Sequence, residues 1–237
     1  NISYLFRGRI PIRSDASGRV LPALGSRDGG DWVGDVPRDE LPQATNPSAG
    51  FIATSNQNPW AQQEPFLSHE FAPASRAERV SETLSVGNQW ESDDVIALQA
   101  DTMSVPARRW AQRAGSLPSL TGVAEQAREM LADWDGDLLV NQPHGLLYTC
   151  FKESMIEAIY HPLLGDSTWN WINSPANATS KGIIARWFYG LGVTITDDSN
   201  PKTPDGRDIN LLMAEALGVA WSNAQRLGGD DIQNWRW

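Results

Sequence analysis

The run Gly50-Phe51-Ile52-Ala53-Thr54-Ser55-Asn56 ends on a carboxamide. Asn46-Pro47 and Gly50 give a turn signal, and the β-branched and aromatic residues that follow predict a short buried strand over Phe51 to Asn56. Its last residue leaves the sheet for the loop Gln57-Asn58-Pro59-Trp60. An amide whose Cα is fixed at a strand end can aim its NH2 at a reacting atom, which is what stabilising an oxyanion requires. The same residue type also closes turns by bonding its own backbone, and spacing alone leaves both roles open.

A second set of candidates lies on a helix predicted to start at Ser75. Ser75-x-x-Glu78 is a capping-box pattern, with Ser75 as N-cap and Glu78 reaching back. Arg79 then falls in the first turn, where a cation opposes the helix dipole at a cost of a few tenths of a kcal/mol. A charge placed against local preference hints at a tertiary partner. The other reading is a salt bridge to a neighbouring acid, and Arg76, one helical turn away, competes for any such role.

The remaining reactive side chains form no constellation. His69, His144 and His161 have no metal-like spacing with one another or with Cys150. One cysteine excludes an internal disulfide, and its place in an apolar stripe reads as an inert buried thiol. The pairs Asp93/Asp94 and Asp230/Asp231 read as solvated helix ends. Gln99 and Asp101 read as structural hydrogen-bonders, because residues two apart on a helix face different directions. Asn177-Ala178-Thr179 fits a glycosylation sequon, a pattern too common to carry an argument.

These residues must be positioned by two kinds of structure. Residues 1–74 are strand-rich, with Ile2 to Arg13, Val20-Leu21 and Trp32-Val33 as short strands among many Gly, Pro, Asp and Ser. Pro11 marks an edge or a strand end. Residues 75–237 are mainly helical. Ser92 caps a helix led by Asp93 and Asp94, and Pro106 restarts helix before Arg108-Arg109-Trp110. Val123, Ala127, Met130, Leu131 and Trp134 recur at helical spacing. Leu147, Cys150, Phe151, Met155, Ala158 and Ile159 form the cleanest stripe, ended by Pro162. Ile183 to Phe188 predicts a further helix, Thr194 to Gly206 a polar loop, and Ile209 to Trp221 a last helix stopping at Gly228-Gly229. The fold class is therefore α+β, with a boundary near residue 74.

The 237 residues suffice for one large or two small domains, and 41% hydrophobic content with eleven Trp supports a partly aromatic core. Nineteen basic against twenty-nine acidic residues give a net charge of −10, which disfavours nucleic acid and anionic membrane surfaces as partners. No apolar run approaches the length of about eighteen residues that a membrane span needs.

Taken in order, Gly8-Arg9-Ile10-Pro11-Ile12-Arg13, Asp31-Trp32-Val33-Gly34-Asp35-Val36-Pro37, Glu40-Leu41-Pro42, the Asn-Pro-x-x-Gly strand, Arg76-Ala77-Glu78-Arg79-Val80 and Leu98-Gln99-Ala100-Asp101-Thr102-Met103-Ser104 resemble the penicillin acylase (penicillin amidase) family of N-terminal nucleophile hydrolases. Past residue 110 or so the likeness thins, returning at Trp235-Arg236-Trp237. The resemblance implies strands of a four-layer αββα core in residues 1–74 and an inserted helical region in 75–237. It implies an internal part of the large subunit, whose Ser nucleophile lies outside this chain, so that the chain alone does not catalyse. It gives Asn56 the oxyanion role and Arg79 an electrostatic role near the nucleophile.

The resemblance further implies as partners the rest of the large subunit, a small α subunit and a small-molecule acyl-amide substrate. It implies a periplasmic or secreted location and no cofactor required for catalysis. A structural calcium is common in the family, but a ligating Asp between the Asn strand and the Arg has no counterpart here. Trp60 to Ala74 offers only Glu64 and Glu70, so the metal ligands stay unknown. A reading of another class is a non-catalytic helical ligand-binding or interaction domain with a Trp-rich surface.

Overall fold

A computed structural model describes residues 11–13, 32–59, 71–87, 89–174 and 202–236. The chain divides into two units, Asn1–Glu91 and Ser92–Trp237.

In the first unit, Pro11–Arg13 (β1) pairs antiparallel with Trp32–Asp35 (β2), opposing Ile12 to Gly34, with an irregularity between Ile12 and Arg13. Pro11 opens β1, where its missing N–H costs the ladder least. The strand expected at Phe51 to Asn56 is not formed: these residues carry no ladder, and Ile52 is 55% exposed. The aromatic and β-branched run has the composition of a strand. A strand, however, exists only where a neighbour takes up its N–H and C=O groups, and no described residues supply one. The segment is fixed instead by a turn at its start, Gly50 N–H to Pro47 O at 2.9 Å, and by Ala72 N–H to Asn56 O at 2.8 Å at its end.

Helix Ser75–Val86 (α1) begins where the helical character was expected, but the capping box is not used. Ala74 is the N-cap, Ser75 is already inside the helix, and Glu78 N–H bonds the Ala74 carbonyl at 2.9 Å. Arg79 accordingly sits one residue past the first turn.

The second unit holds Ser92–Gln99 (α2), Val105–Gly115 (α3), Gly122–Ala132 (α4), His144–Asn173 (α5) and Ile209–Gly228 (α6). Pro106 restarts helix as expected, with Ser104 as N-cap accepting from Ala107 N–H at 3.3 Å. The stripes are core: Leu147, Phe151, Met155 and Ile159 on α5, and Met213, Leu217 and Ala220 on α6, are completely buried. Helix α6 packs against both α4 and α5, and α3 against α4. That last approach is close; a Cβ on Gly115 would lie 2.8 Å from the Ala132 Cβ. Trp110 meets Phe151 edge-on at 6.0 Å. Cys150 is buried, and burial pushes its thiol up to about 11, so the thiolate that reacts is suppressed. The predicted helix Ile183 to Phe188, Val20-Leu21, and most of the loop from Thr194 lie outside the described residues.

Pro162 does not end α5, contrary to the sequence expectation. The helix runs through it, breaks at Gly165 (φ 72), and resumes to Asn173. A proline inside a helix leaves the carbonyl four residues back without its partner. Here that carbonyl is Ala158 O, and Arg207 Nη1 donates to it at 2.8 Å while Nη2 donates to Ile159 O at 3.1 Å. Asp205 Oδ2 accepts from Arg207 Nε at 2.7 Å and holds the guanidinium, while Thr203 Oγ1 accepts from the Arg207 backbone N–H at 2.9 Å. Across the break, His161 Nε2 bonds Asp166 Oδ1 at 2.8 Å and its ring stacks on Trp169.

Two groups make this unit sensitive to acid. Arg128 bonds both oxygens of Glu125 at 2.7 Å and Leu120 N–H adds a third bond at 2.8 Å, holding the Glu125 carboxyl at about 2. Burial lowers His144, whose ring stacks on Trp134, below its ordinary 6.5, against a smaller opposing pull from Asp135. Both shifts favour the deprotonated form in the folded state. Glu125 therefore stabilises fully above its ordinary value of 4.5 and loses that contribution as pH falls toward 2. The His144 contribution is present above 6.5 and is lost as pH falls below it. Melting temperature followed from pH 8 to 3 is expected to drop on both limbs. His144→Phe should flatten the upper limb and Glu125→Gln the lower; unchanged slopes would contradict the assignment.

Candidate active site

The loop Ala53 to Asn56 is braced by side chains of its own sequence. Gln57 Nε2 donates to Ala53 O at 3.3 Å, and Gln57 Oε1 accepts from Ser55 N–H at 2.6 Å. This bracing leads into Asn56, whose φ of 65° is left-handed, a conformation Asn tolerates better than most residues.

Arg76, in the first turn of α1, reaches back to this corner. Its Nη2 donates to Ser55 O at 2.7 Å and to Asn56 Oδ1 at 3.0 Å. A guanidinium has donors only, so it selects the oxygen end of the Asn56 carboxamide and turns Nδ2 away. Asn56 is exposed. The arrangement thus offers an accessible amide donor whose other end is fixed by a cation mounted on a helix.

Arg79 pairs along its own helix: Nη1 lies 3.6 Å from Glu82 Oε2, both side chains being partly exposed at 30% and 41%. Exposed pairs of this kind contribute about 0–1 kcal/mol. Arg76 thus hydrogen-bonds Asn56; the resemblance gave Arg79 an electrostatic role near the nucleophile, not a contact with Asn56. Arg76 ranks second in the sequence because Arg79 is the one that matches the family pattern Ala77-Glu78-Arg79-Val80. The Gln57 brace was missed altogether; a Gln directly after the candidate Asn was its only sign.

The other sequence candidates serve structure. Asp101 Oδ1 accepts from Met103 N–H at 2.7 Å at the turn before α3. Among the described residues, no group of three or more His, Cys, Asp or Glu is arranged to hold a metal ion. Glu64, Glu70 and His69 lie outside the described residues, as does Asn177. Among the described residues, no helix is long and apolar enough to cross a membrane.

Comparison with known proteins gives this geometry its context. The chain is 30% identical, over 94% of its length, to penicillin acylase 2 proenzyme of Pseudomonas sp. (strain SE83). It is 28% identical over its whole length to the acyl-homoserine lactone acylase QuiP of Pseudomonas fluorescens, and 24% identical to penicillin G acylase of Escherichia coli. It spans only 29% to 31% of the length of these relatives. The solved structure of a thermostable penicillin G acylase from Alcaligenes faecalis superposes with a TM-score of 0.68, covering 97% of this chain and 45% of that one. At 17% identity the superposition speaks for the fold, which is α+β as the sequence implied. The penicillin amidase family model matches residues 1–237, and the chain belongs to that family.

Proposed function

We propose that this chain is part of an amidohydrolase that deacylates an N-acyl amine or β-lactam amide through an N-terminal Ser outside the chain. Membership of the penicillin amidase family supports the reaction class. The observation that carries the assignment to residues is the amide of the exposed Asn56, held at its oxygen by Arg76.

In this reading the Ser hydroxyl oxygen attacks the amide carbonyl carbon, and its proton passes to the α-amine of the same residue. That amine suits the task because its unperturbed pKa of about 7.7–8.0 lies near working pH. Negative charge develops on the carbonyl oxygen, and Asn56 Nδ2 donates a hydrogen bond to it. Collapse breaks the C–N bond, the amine leaves with the proton, and water then releases the acyl group from Ser. Arg79 acts electrostatically and transfers no proton, since guanidinium stays charged.

The partners are the rest of the large subunit, a small α subunit and the acyl-amide substrate. The protein works in the periplasm or outside the cell, and the chain alone is inactive. Catalysis needs no cofactor, and no step runs through a structural calcium, whose ligands stay unassigned. Intact mass and N-terminal sequencing of the full-length gene product are expected to show a mature chain that begins with Ser upstream of Asn1, plus a smaller chain. An active single chain of 26.1 kDa beginning at Asn1 would sink the mechanism.

A further inference from the structure

We infer that Arg76 is the positioning residue for the Asn56 amide, fixing which end of the carboxamide faces the reacting carbonyl. The inference rests on the proposed oxyanion role of Asn56 and goes beyond it by naming what orients the donor. One nitrogen, Nη2, bridges Ser55 O at 2.7 Å and Asn56 Oδ1 at 3.0 Å. It therefore constrains both the backbone entering Asn56 and the side chain leaving it.

An amide is nearly isosteric about its two ends, and a free Asn at an exposed site samples both. Facing a guanidinium with NH2 sets donor against donor, so the cation admits only the orientation with Oδ1 inward. The same contact draws electron density toward Oδ1 and leaves the Nδ2 hydrogens more positive, which strengthens donation to an oxyanion. The left-handed φ of 65° at Asn56 is a conformation that surrounding structure must support. Arg76 anchors it to a twelve-residue helix, a more rigid mount than a loop.

The test is kinetic, on the full-length mature protein with an acyl anilide that the parent hydrolyses. Arg76→Met is expected to lower kcat about tenfold with KM unchanged, because the freed side chain spreads over several rotamers as well as its two ends and its donor loses the polarisation by the cation. Arg76→Lys, which keeps one charge and loses the planar fork, should recover part of the loss. In an Asn56→Ala background Arg76→Met should cost nothing further, since there is no amide left to orient.

The outcomes separate the two claims. If Asn56→Ala itself leaves kcat unchanged, the oxyanion role falls and this inference with it. If Asn56→Ala is severe but Arg76→Met stays within about twofold of the parent, only the positioning role is overturned. An equal cost of Arg76→Met in both backgrounds also overturns it, by showing that Arg76 acts through something other than Asn56. Should Arg76→Met fail to mature, Arg76→Lys carries the same comparison, with additivity as the contrary result.

Discussion

Asn56→Ala is expected to lower kcat of the full-length amidase by about 10²–10³, with KM little changed. The size follows from where the hydrogen bond acts. A ground-state amide carbonyl carries a partial charge, whereas the tetrahedral oxygen carries a full one, so an Nδ2 donor stabilises the second far more. Such an interaction appears in kcat and not in KM. The corner around Asn56 is preorganised before substrate arrives: Gln57 braces the loop, Ala72 N–H fixes the Asn56 carbonyl, and Arg76 fixes the amide oxygen. On the proposed mechanism the donor need not reorganise during the reaction, which is what makes a single donor worth that much. Asn56→Asp sharpens the test. It keeps the shape and the Arg76 contact but replaces the NH2 with a carboxylate oxygen, which repels an oxyanion. It should therefore be at least as damaging as alanine. Unaltered steady-state rates in both variants, with maturation verified by mass, would remove Asn56 from the site.

How much of this was legible in the sequence depends on how local each cause is. Helix α6 could be read almost residue by residue. Its stripe of Leu212, Met213, Ala216, Leu217, Ala220 and Trp221 is buried, Asp208 caps its start, and it stops at Gly229 with φ 86. Amphipathic period, cap and left-handed stop are all written within one stretch of chain. Pro162 was misread for the opposite reason. Its cost is local, but the group that offsets it, Arg207, lies 49 residues beyond the carbonyl it satisfies. The run Phe51 to Asn56 has a strand's composition, yet strandedness belongs to a pair, and composition cannot say whether the partner comes. The site divides in the same way. Asn56 was picked as a candidate from its chain context and the family pattern, and the structure adds its contacts. That Arg76 touches it was not legible, because one helical turn of sequence does not say which side chain reaches back over a loop.

The Trp235 indole shows how a short motif can matter to the fold while touching no chemistry, and Trp235→Ala is expected to destabilise the helical unit by about 3–5 kcal/mol. The side chain is completely buried, its Nε1 donates to Gly229 O at 2.8 Å, and it meets Trp221 edge-on at 5.1 Å. The chain is arranged to admit it. A Cβ on Gly228 would run into Trp235 Cδ1, so glycine there leaves room for the ring to lie against the end of α6. The short 3-10 turn Ile232–Asn234, capped by Asp231, brings the chain back over that end. Truncation removes the ring's transfer free energy, leaves a cavity against Trp221, and strands the Gly229 carbonyl. At roughly 2–4 °C per kcal/mol for a chain of this size, melting should fall by on the order of 10 °C. Trp235→Phe separates the contributions: it keeps most of the ring and loses the N–H···O bond, so it should cost only about 1 kcal/mol. A Trp235→Ala melt within a degree or two of the parent would mean that the end of α6 closes without the indole. In that case the Gly228 clearance would have no packing reason.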